Sequence, residues 1–301
     1  MSEFEAAFRR ALMRVKNPAI AELAITLREW VLVERASLDE KTQQLIIVAA
    51  GFAIACKPKC FTRQQLDISA RLLFLFFAHD DEDQDALPEV DGNQLWEIGR
   101  VTPWLRRWIA EFEAFHRAAD EDRQMFVDSY YEYLREKKHE PIEGRSRLTI
   151  EEHWASRRKT VFLDPFVISG AISSGVSVAS LGQDFFACCD DAATAIWLAN
   201  DLGSIDRDRS ESQDPNIVDT YCRVRGLSEE AAYARVISDY NEVVGRLGAR
   251  MQALGRTVKN DDVARFIDIV AGCVEGNLIA MRELDFRYSA IDRLLAQVDH
   301  L

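Results

Sequence analysis

The chain has 301 residues, of which 48% are hydrophobic and 29% are charged, the composition of a globular protein with ample material for a core. Its 37 basic and 50 acidic residues give a net charge of −13 at pH 7, which argues against a nucleic-acid partner. The N-terminus lacks the features of a signal peptide. The longest apolar runs, 45–56 and 72–78, are shorter than the ~20 residues that span a bilayer. We therefore expect a cytoplasmic protein without stable membrane insertion.

Helical periodicity is nearly continuous, and no stretch shows the period of two that is typical of a β-strand. The second half of 63–80 is apolar on most sides, as in a helix buried at the centre of a bundle. In chain order, helices are predicted over 19–35, 39–56, 63–80, 96–118, 120–138, 150–156, 165–181, 185–205, 217–224, 228–254 and 261–287. No repeat or linker divides the chain. We predict one all-α domain over residues 1–301.

An acidic cluster follows the aromatic-apolar run 72–77. Four aspartates and one glutamate occupy 80–85, and such carboxylates repel one another unless a cation lies between them. Asp81 and Asp85 share a helix face with Asp80 as their neighbour. A solvated acidic loop is the alternative interpretation. Which of Asp80, Asp81, Asp83 and Asp85 would bind metal stays open.

A second cluster begins at Asn200, after the apolar run 192–199. Each helical residue advances about 100°, so Asn200, Ser204 and Asp208 lie along one stripe. An amide oxygen, a hydroxyl and a carboxylate suit Mg²⁺ in an octahedral site that keeps positions open for phosphate oxygens and water. Solvated charges at a helix end would also explain these three residues, but two such clusters together favour a metal site.

With these two motifs in this order, the chain resembles bacterial class I terpene synthases (terpene cyclases). That family has an aspartate-rich motif after an aromatic-apolar helix and a second motif that reads (N/D)DxxSxxxE. Here the second motif is Asn200, Asp201, Ser204 and Asp208, with aspartate in place of the usual glutamate. The resemblance implies a helical bundle around a central apolar cavity, three Mg²⁺ ions (or Mn²⁺) and a prenyl diphosphate substrate, and it is compatible with a homodimer.

The resemblance also implies basic groups that bind the diphosphate. Arg158 would be the pyrophosphate-sensor arginine, and Arg207 would be the basic phosphate ligand just before the last metal ligand. Arg287 and Tyr288 would form the Arg–Tyr pair near the C-terminus. Guanidinium groups match phosphate oxygens in a bidentate manner, and the phenol adds a donor.

The region after Arg158 departs from the family pattern. Val161 and Phe162 stand where the family has a small or polar linker and a glycine at a helix break. We therefore expect the break to lie at 164–165, where Pro165 would begin a new helix.

The implied reaction is metal-assisted ionisation of the diphosphate followed by cyclisation of the cation. Aromatic faces can stabilise the moving charge through cation–π attraction. Small residues over 165–181 would widen the cavity for a C20 substrate, ahead of C15, although close helix packing explains them equally well. The alternatives are a trans-prenyltransferase, whose second aspartate-rich motif is incomplete at 190–194, and a non-catalytic helical interaction module. The candidate substrate-binding aromatics are Phe77, Phe162, Phe166 and Trp197.

Overall fold

The computed structural model describes residues 3–35, 37–80, 102–116, 118–139, 148–211, 216–257, 261–285 and 287–298. Within these ranges the chain forms α-helices and one 3₁₀ helix, Ala179–Leu181, and no strand, so the all-α prediction is confirmed. The α-helices are α1 (Glu3–Leu12), α2 (Pro18–Leu32), α3 (Glu40–Ala55), α4 (Arg63–Asp80), α5 (Thr102–Phe115), α6 (Asp120–His139), α7 (Ile150–Thr160), α8 (Leu163–Ser173), α9 (Gly182–Glu211), α10 (Ile217–Arg225), α11 (Glu229–Thr257), α12 (Asp261–Glu283) and α13 (Ile291–Leu295).

Two helices end more than five residues from their predicted C-terminal ends. The helix predicted over 165–181 ends at Ser173 instead. Gly175 follows with a φ of 72°, a left-handed conformation that ends helices readily because glycine has no Cβ. Helix α9, predicted over 185–205, continues to Glu211, since no glycine or proline interrupts 204–211. The second acidic cluster is therefore helical throughout.

The break between α7 and α8 lies at Val161 and Phe162, so the prediction of 164–165 was wrong. Pro165 falls in the first turn of α8, where its missing N–H would have no helical partner in any case. Phe162 has a φ of 61° and is the only non-glycine residue of the described ranges with positive φ. That conformation costs about 1–2 kcal/mol. Its ring stacks on Phe76 at 4.9 Å between centroids, and this contact helps to hold it.

Helix α9 forms the centre of the molecule and packs against α7, α8, α10, α11, α12 and α13. Helix α3 packs against α2, α4 and α12. The approach of α12 to α3 is close enough to require glycine: a Cβ on Gly276 would lie 2.5 Å from the carbonyl oxygen of Ala55 and 2.5 Å from the Cα of Cys56. None of the helices in the described ranges is long and apolar enough to cross a membrane.

Candidate active site

A cavity lies among α3, α4, α7, α8, α9 and α12. It holds about 990 Å³ of space free of atoms, counting its solvent-open mouth. Aromatic and aliphatic side chains form one part of its lining, and charged and amide groups form the other. The lining residues are Phe52, Cys56, Leu73, Phe76, Phe77, Asp80, Arg157, Thr160, Val161, Phe162, Leu163, Phe166, Ile196, Asn200, Asp201, Ser204, Arg207, Asp208, Cys273, Asn277, Arg287 and Tyr288.

The stripe predicted on α9 faces this cavity. Asn200, Ser204 and Asp208 all belong to the lining. Ser204 Oγ lies 2.7 Å from the Asn200 carbonyl oxygen and 2.7 Å from Asp208 Oδ2, so its single proton can serve only one of them at a time. An amide oxygen, a hydroxyl and a carboxylate are thus presented side by side, which is the donor set that a hard cation takes.

Asp208 is a buried carboxylate whose ionised form is disfavoured by burial although it accepts three hydrogen bonds. Arg207 Nη2 lies 2.8 Å from its Oδ1, and Asn216 Nδ2 donates to its Oδ2 at 3.0 Å. Burial and the nearby charge of Asp201 nevertheless raise the pKa of Asp208 above its ordinary value. A carboxylate whose ionised form is disfavoured in this way would gain from a bound cation. The residues present therefore fit a divalent metal ion.

Asp80, the last residue of α4 and the first residue of the acidic cluster, lines the same cavity. Lys137 Nζ on α6 donates to Asp80 Oδ1 at 2.7 Å. Burial raises the pKa of Asp80, but the charges of Lys137, Arg157 and Arg287 outweigh burial and hold that pKa below its ordinary value. Asp81, Asp83 and Asp85 lie outside the described residues.

Within the described ranges, no three His, Cys, Asp or Glu side chains come close enough together to form a metal site. The α9 stripe is not such a group, because two of its three oxygens come from an asparagine and a serine.

The arginine of α7 that faces the cavity is Arg157, and the choice of Arg158 is corrected. Arg158 is absent from the lining; its Nε donates to Asp190 Oδ1 at 2.7 Å, and its Nη2 lies 3.2 Å from both oxygens of Asp164. Consecutive helical residues point about 100° apart, and here Arg157 belongs to the lining whereas Arg158 does not. Arg157 Nη2 donates to Asp201 Oδ1 at 2.6 Å.

Asp201 joins three helices around the site. Besides Arg157 of α7, its carboxylate lies 3.3 Å from His153 Nε2 and accepts the backbone N–H of Ile217 in α10 at 3.1 Å. Burial raises the pKa of Asp201, but the charge of Arg157 and the hydrogen bond from His153 outweigh burial, and the net pKa is lowered. Sequence analysis gave His153 no role, since its partners lie far away along the chain.

The C-terminal segment lies across α9. Ser289 Oγ lies 3.0 Å from Asp206 Oδ2, and the N–H of Ala290 donates to the carbonyl oxygen of Gly203 at 3.3 Å. These contacts place Arg287 and Tyr288 in the lining beside the α9 stripe.

Arg287 is a half-buried cation whose Nε atom is itself buried. Its Nε has no hydrogen-bond partner among the described residues, and its guanidinium carbon lies 5.9 Å from the centroid of the Phe77 ring. A buried donor without a partner is costly, and an anion bound beside Arg287 would satisfy it. Arg207, predicted as a phosphate ligand, also belongs to the lining.

Three of the four predicted aromatic residues, Phe77, Phe162 and Phe166, line the cavity. Trp197 does not, which corrects its selection: it is fully buried beside Trp154, at 5.2 Å between ring centroids. Phe76, which was not selected, is part of the lining and stacks on Phe162. Adjacent residues of a buried helix cannot be ranked by periodicity when all of them are apolar.

The family model described as terpene synthase family 2, C-terminal metal binding, matches residues 77–246, more than half of the chain. The chain belongs to the terpene synthase family. It is a class I terpene synthase, and as an enzyme it is a lyase. The matched region contains Asp80, the whole α9 stripe and both arginines of α7, whereas Asn277, Arg287 and Tyr288 of the lining lie beyond its end. Membership of this enzyme family excludes the alternative of a non-catalytic helical interaction module.

Solved structures share the fold of this terpene synthase. Linalool/nerolidol synthase from Streptomyces clavuligerus, in complex with 2-fluorogeranyl diphosphate, is 19% identical with a TM-score of 0.72, over 90% of this chain and 96% of that one. The SVS_A2 protein from ancestral sequence reconstruction is 17% identical with a TM-score of 0.72, over 89% and 86%. α-Eudesmol synthase is 16% identical with a TM-score of 0.70, over 88% and 95%. A search of curated protein sequences gave no match.

The incomplete motif at 190–194 takes no part in the cavity of this terpene synthase. Asp190 pairs with Arg158, and the oxygens of Asp191 accept from Arg246 Nε at 2.8 Å and from Arg250 Nε at 2.7 Å. Both aspartates are absent from the lining. A second aspartate-rich metal site, which the prenyltransferase alternative needs, therefore has no support from these residues.

Proposed function

We propose that this terpene synthase ionises a prenyl diphosphate of 15 or 20 carbons with the help of Mg²⁺, guides cyclisation of the resulting cation and releases inorganic diphosphate. The observation that carries the proposal is a single cavity whose polar lining holds the α9 stripe and whose apolar lining is rich in aromatic rings. A prenyl diphosphate has the same two halves, a polyanion and an apolar chain.

The proposed metal ligands are Asn200, Ser204 and Asp208 on one side, and Asp80 with its acidic neighbours on the other. Mg²⁺, when bound, would neutralise the diphosphate and withdraw electrons from it as a Lewis acid. Three ions are proposed. Asp208, whose ionised form is disfavoured by burial, would be relieved most by such a charge.

Arg157, Arg287 and Tyr288 are the proposed diphosphate donors, with Arg207 beside them. Ionisation breaks the bond between the allylic carbon and the diphosphate oxygen, and both electrons leave with the oxygen. Donors already held in a buried site stabilise the charge that develops there without reorganising. The Nε of Arg287, which has no partner within the described ranges, supports this role.

The rings of Phe76, Phe77 and Phe162 are proposed to stabilise the cation through their faces. Helix α7 ends at Thr160, which belongs to the lining. The last carbonyl groups of a helix carry partial negative charge, so the end of α7 favours a cation in the cavity. The buried lining also limits the access of water, which would otherwise trap the cation.

The small residues of α8 do not support a preference for C20 over C15. In α8 the lining residues are Leu163 and Phe166. A Cβ on Gly170 would meet Ile269 of α12 and Phe61 instead, so the small residues serve helix packing here. Both chain lengths therefore enter the proposal on equal terms.

Incubation with C10, C15 and C20 prenyl diphosphates and Mg²⁺, with assay of released diphosphate and gas chromatography of the extract, tests the proposal. We expect cyclic products from C15 or C20. The Asn200→Ala variant should lose about 10³-fold in turnover, because the stabilisation of the leaving group depends on the metal site. Full activity in that variant, or no diphosphate release from any substrate by the wild type, would contradict the proposal.

A further inference from the structure

Asn277 is a polar side chain on an apolar stretch of α12. It is 3% exposed, and Val274, Leu278 and Met281 around it are buried as well. Burying an amide costs free energy unless hydrogen bonds compensate for the lost water. Yet Asn277 lies in the lining of the cavity, across from the α9 stripe, so its partners show what it contributes.

The partners of Asn277 lead to the proposed metal site. Its Nδ2 donates to Asn200 Oδ1 at 3.1 Å and lies 3.4 Å from the sulfur of Met281. Among the described residues, Asn277 is the only side chain that hydrogen-bonds the side chain of Asn200. Ser204, by contrast, contacts only the backbone oxygen of Asn200. A single contact therefore fixes the amide plane of Asn200.

The backbone of α12 is held firmly at this point. The neighbouring Gly276 lies against α3 so closely that a Cβ would be 2.5 Å from the Ala55 carbonyl oxygen. Helix α12 therefore packs directly on the backbone of α3 at this point, next to the residue that contacts Asn200. A fixed partner of this kind is what orients a metal ligand.

We propose that Asn277 is a positioning residue that orients Asn200 toward the metal ion. The inference rests on the proposed function. An amide offers both an acceptor and two donors. In the structure Asn277 Nδ2 donates to Asn200 Oδ1. With Asn200 Oδ1 on an ion both amides would turn over, so that Asn200 Nδ2 would donate to Asn277 Oδ1 and the pair would remain satisfied. Asn277 itself does not touch the substrate in this role.

The test measures Mn²⁺ binding in the presence of inorganic diphosphate. The electron paramagnetic resonance signal of the free ion reports how much Mn²⁺ is unbound. The Asn277→Leu variant keeps the size of the side chain and removes the hydrogen bond. We expect its Mn²⁺ affinity to fall about 10- to 100-fold, as for other partners of metal ligands. The Mn²⁺ affinity of Asn277→Ala, which adds no bulk, should fall equally. This variant replaces Asn277→Leu in the test if the leucine variant does not fold.

Two controls separate positioning from a general effect on the fold. Asn241→Leu on α11, which loses a bond from Nδ2 to the carbonyl oxygen of Gln297 (3.2 Å), should bind Mn²⁺ like the wild type. In an Asn200→Ala background, Asn277→Leu should cause no further loss of affinity, because its effect passes through Asn200. The melting temperature of each metal-free variant is measured alongside.

Three results would overturn the inference. Mn²⁺ affinity of both Asn277 variants within twofold of the wild type would refute a positioning role. A further loss in the Asn200→Ala background would show that Asn277 acts independently of Asn200. If the wild type bound no Mn²⁺ with diphosphate present, the proposed metal site itself would fail, and that outcome is distinct from the first two.

Discussion

The polar and apolar parts of the cavity lining are held in opposite ways. In the polar part, two groups are held against their preference: the pKa of Asp208 is raised by burial, and Arg287 Nε lacks a partner within the described ranges. In the apolar part, rings and thiols pack closely, with Phe52 and Phe77 at 5.5 Å between centroids.

This difference indicates where stability and ligand binding originate. Close packing of the apolar part contributes to the free energy of folding. Charged groups without full compensation in the polar part reduce the free energy of folding. The lost free energy is recovered when ions and diphosphate bind. Substitutions in the two parts should therefore have opposite effects on the stability of the ligand-free protein.

The largest expected effect separates the two arginines of α7. Arg157→Met should lower kcat/KM for diphosphate release by about 100-fold, since it removes a half-buried donor from the site of developing charge. Arg158→Met should lower it less than about tenfold, because Arg158 pairs with Asp164 and Asp190 instead. Steady-state kinetics of both variants measure the difference.

Arg157 also pairs with the buried Asp201, so the melting temperature of Arg157→Met must be compared with that of the wild type. Arg157→Lys keeps a positive charge near Asp201 and should recover part of the activity. The reverse ranking, with Arg158→Met the more damaging variant, would show that Arg158 faces the substrate.

This pair of arginines also marks how far the sequence could predict the site. The α9 stripe was predictable because its three residues lie within one helix, where spacing alone determines which of them share a face. Arg157 and Arg158 are adjacent, and the buried residues of α7 (Ile150, His153 and Thr160) are too few and too mixed in polarity to reveal its inner face.

The helices also divide into those that local sequence predicts and those that depend on tertiary contacts. The central helices α3, α4, α11 and α12 were predicted with small errors at their ends, because long apolar periodicity is a strong signal. Helices α1 and α13 were missed: α13 has only five residues and gives little periodicity, whereas α1 has an amphipathic pattern that the prediction did not use. The break at Phe162 was placed wrongly because a phenylalanine with positive φ contradicts local preference, and tertiary ring contacts stabilise it.

The next effect concerns the apolar part. Gly276→Ala should lower the free energy of unfolding by about 1–3 kcal/mol, because the new methyl group meets the backbone of α3 and forces the helices apart. Chemical denaturation measures the change. Gly245→Ala on α11 is the matched control: no atom lies within 4 Å of its Cβ position, so alanine should stabilise the protein by about 0.5–1 kcal/mol. Equal effects of both substitutions would refute the close approach of α3 and α12.

The smallest expected effect has the opposite sign and concerns the polar part. Because its pKa is raised in the folded state, Asp208 binds its proton more tightly there than in the unfolded chain. Metal-free stability should therefore fall as pH rises through that folded-state pKa. Asp208→Asn cannot ionise, so its metal-free melting temperature at pH 7 should exceed that of the wild type by about 1 to 3 °C.

Adding Mg²⁺ with inorganic diphosphate should reverse this order. The ligands stabilise only a protein that binds them, so the wild type should gain melting temperature while Asp208→Asn gains little. Differential scanning calorimetry at several pH values follows both effects in the same samples. A metal-free variant that melts below the wild type at pH 7 would show that Asp208 contributes more through its bonds to Ser204 and Asn216 than it loses through burial. The polar part would then be stabilising as well, and the contrast with the apolar part would not hold.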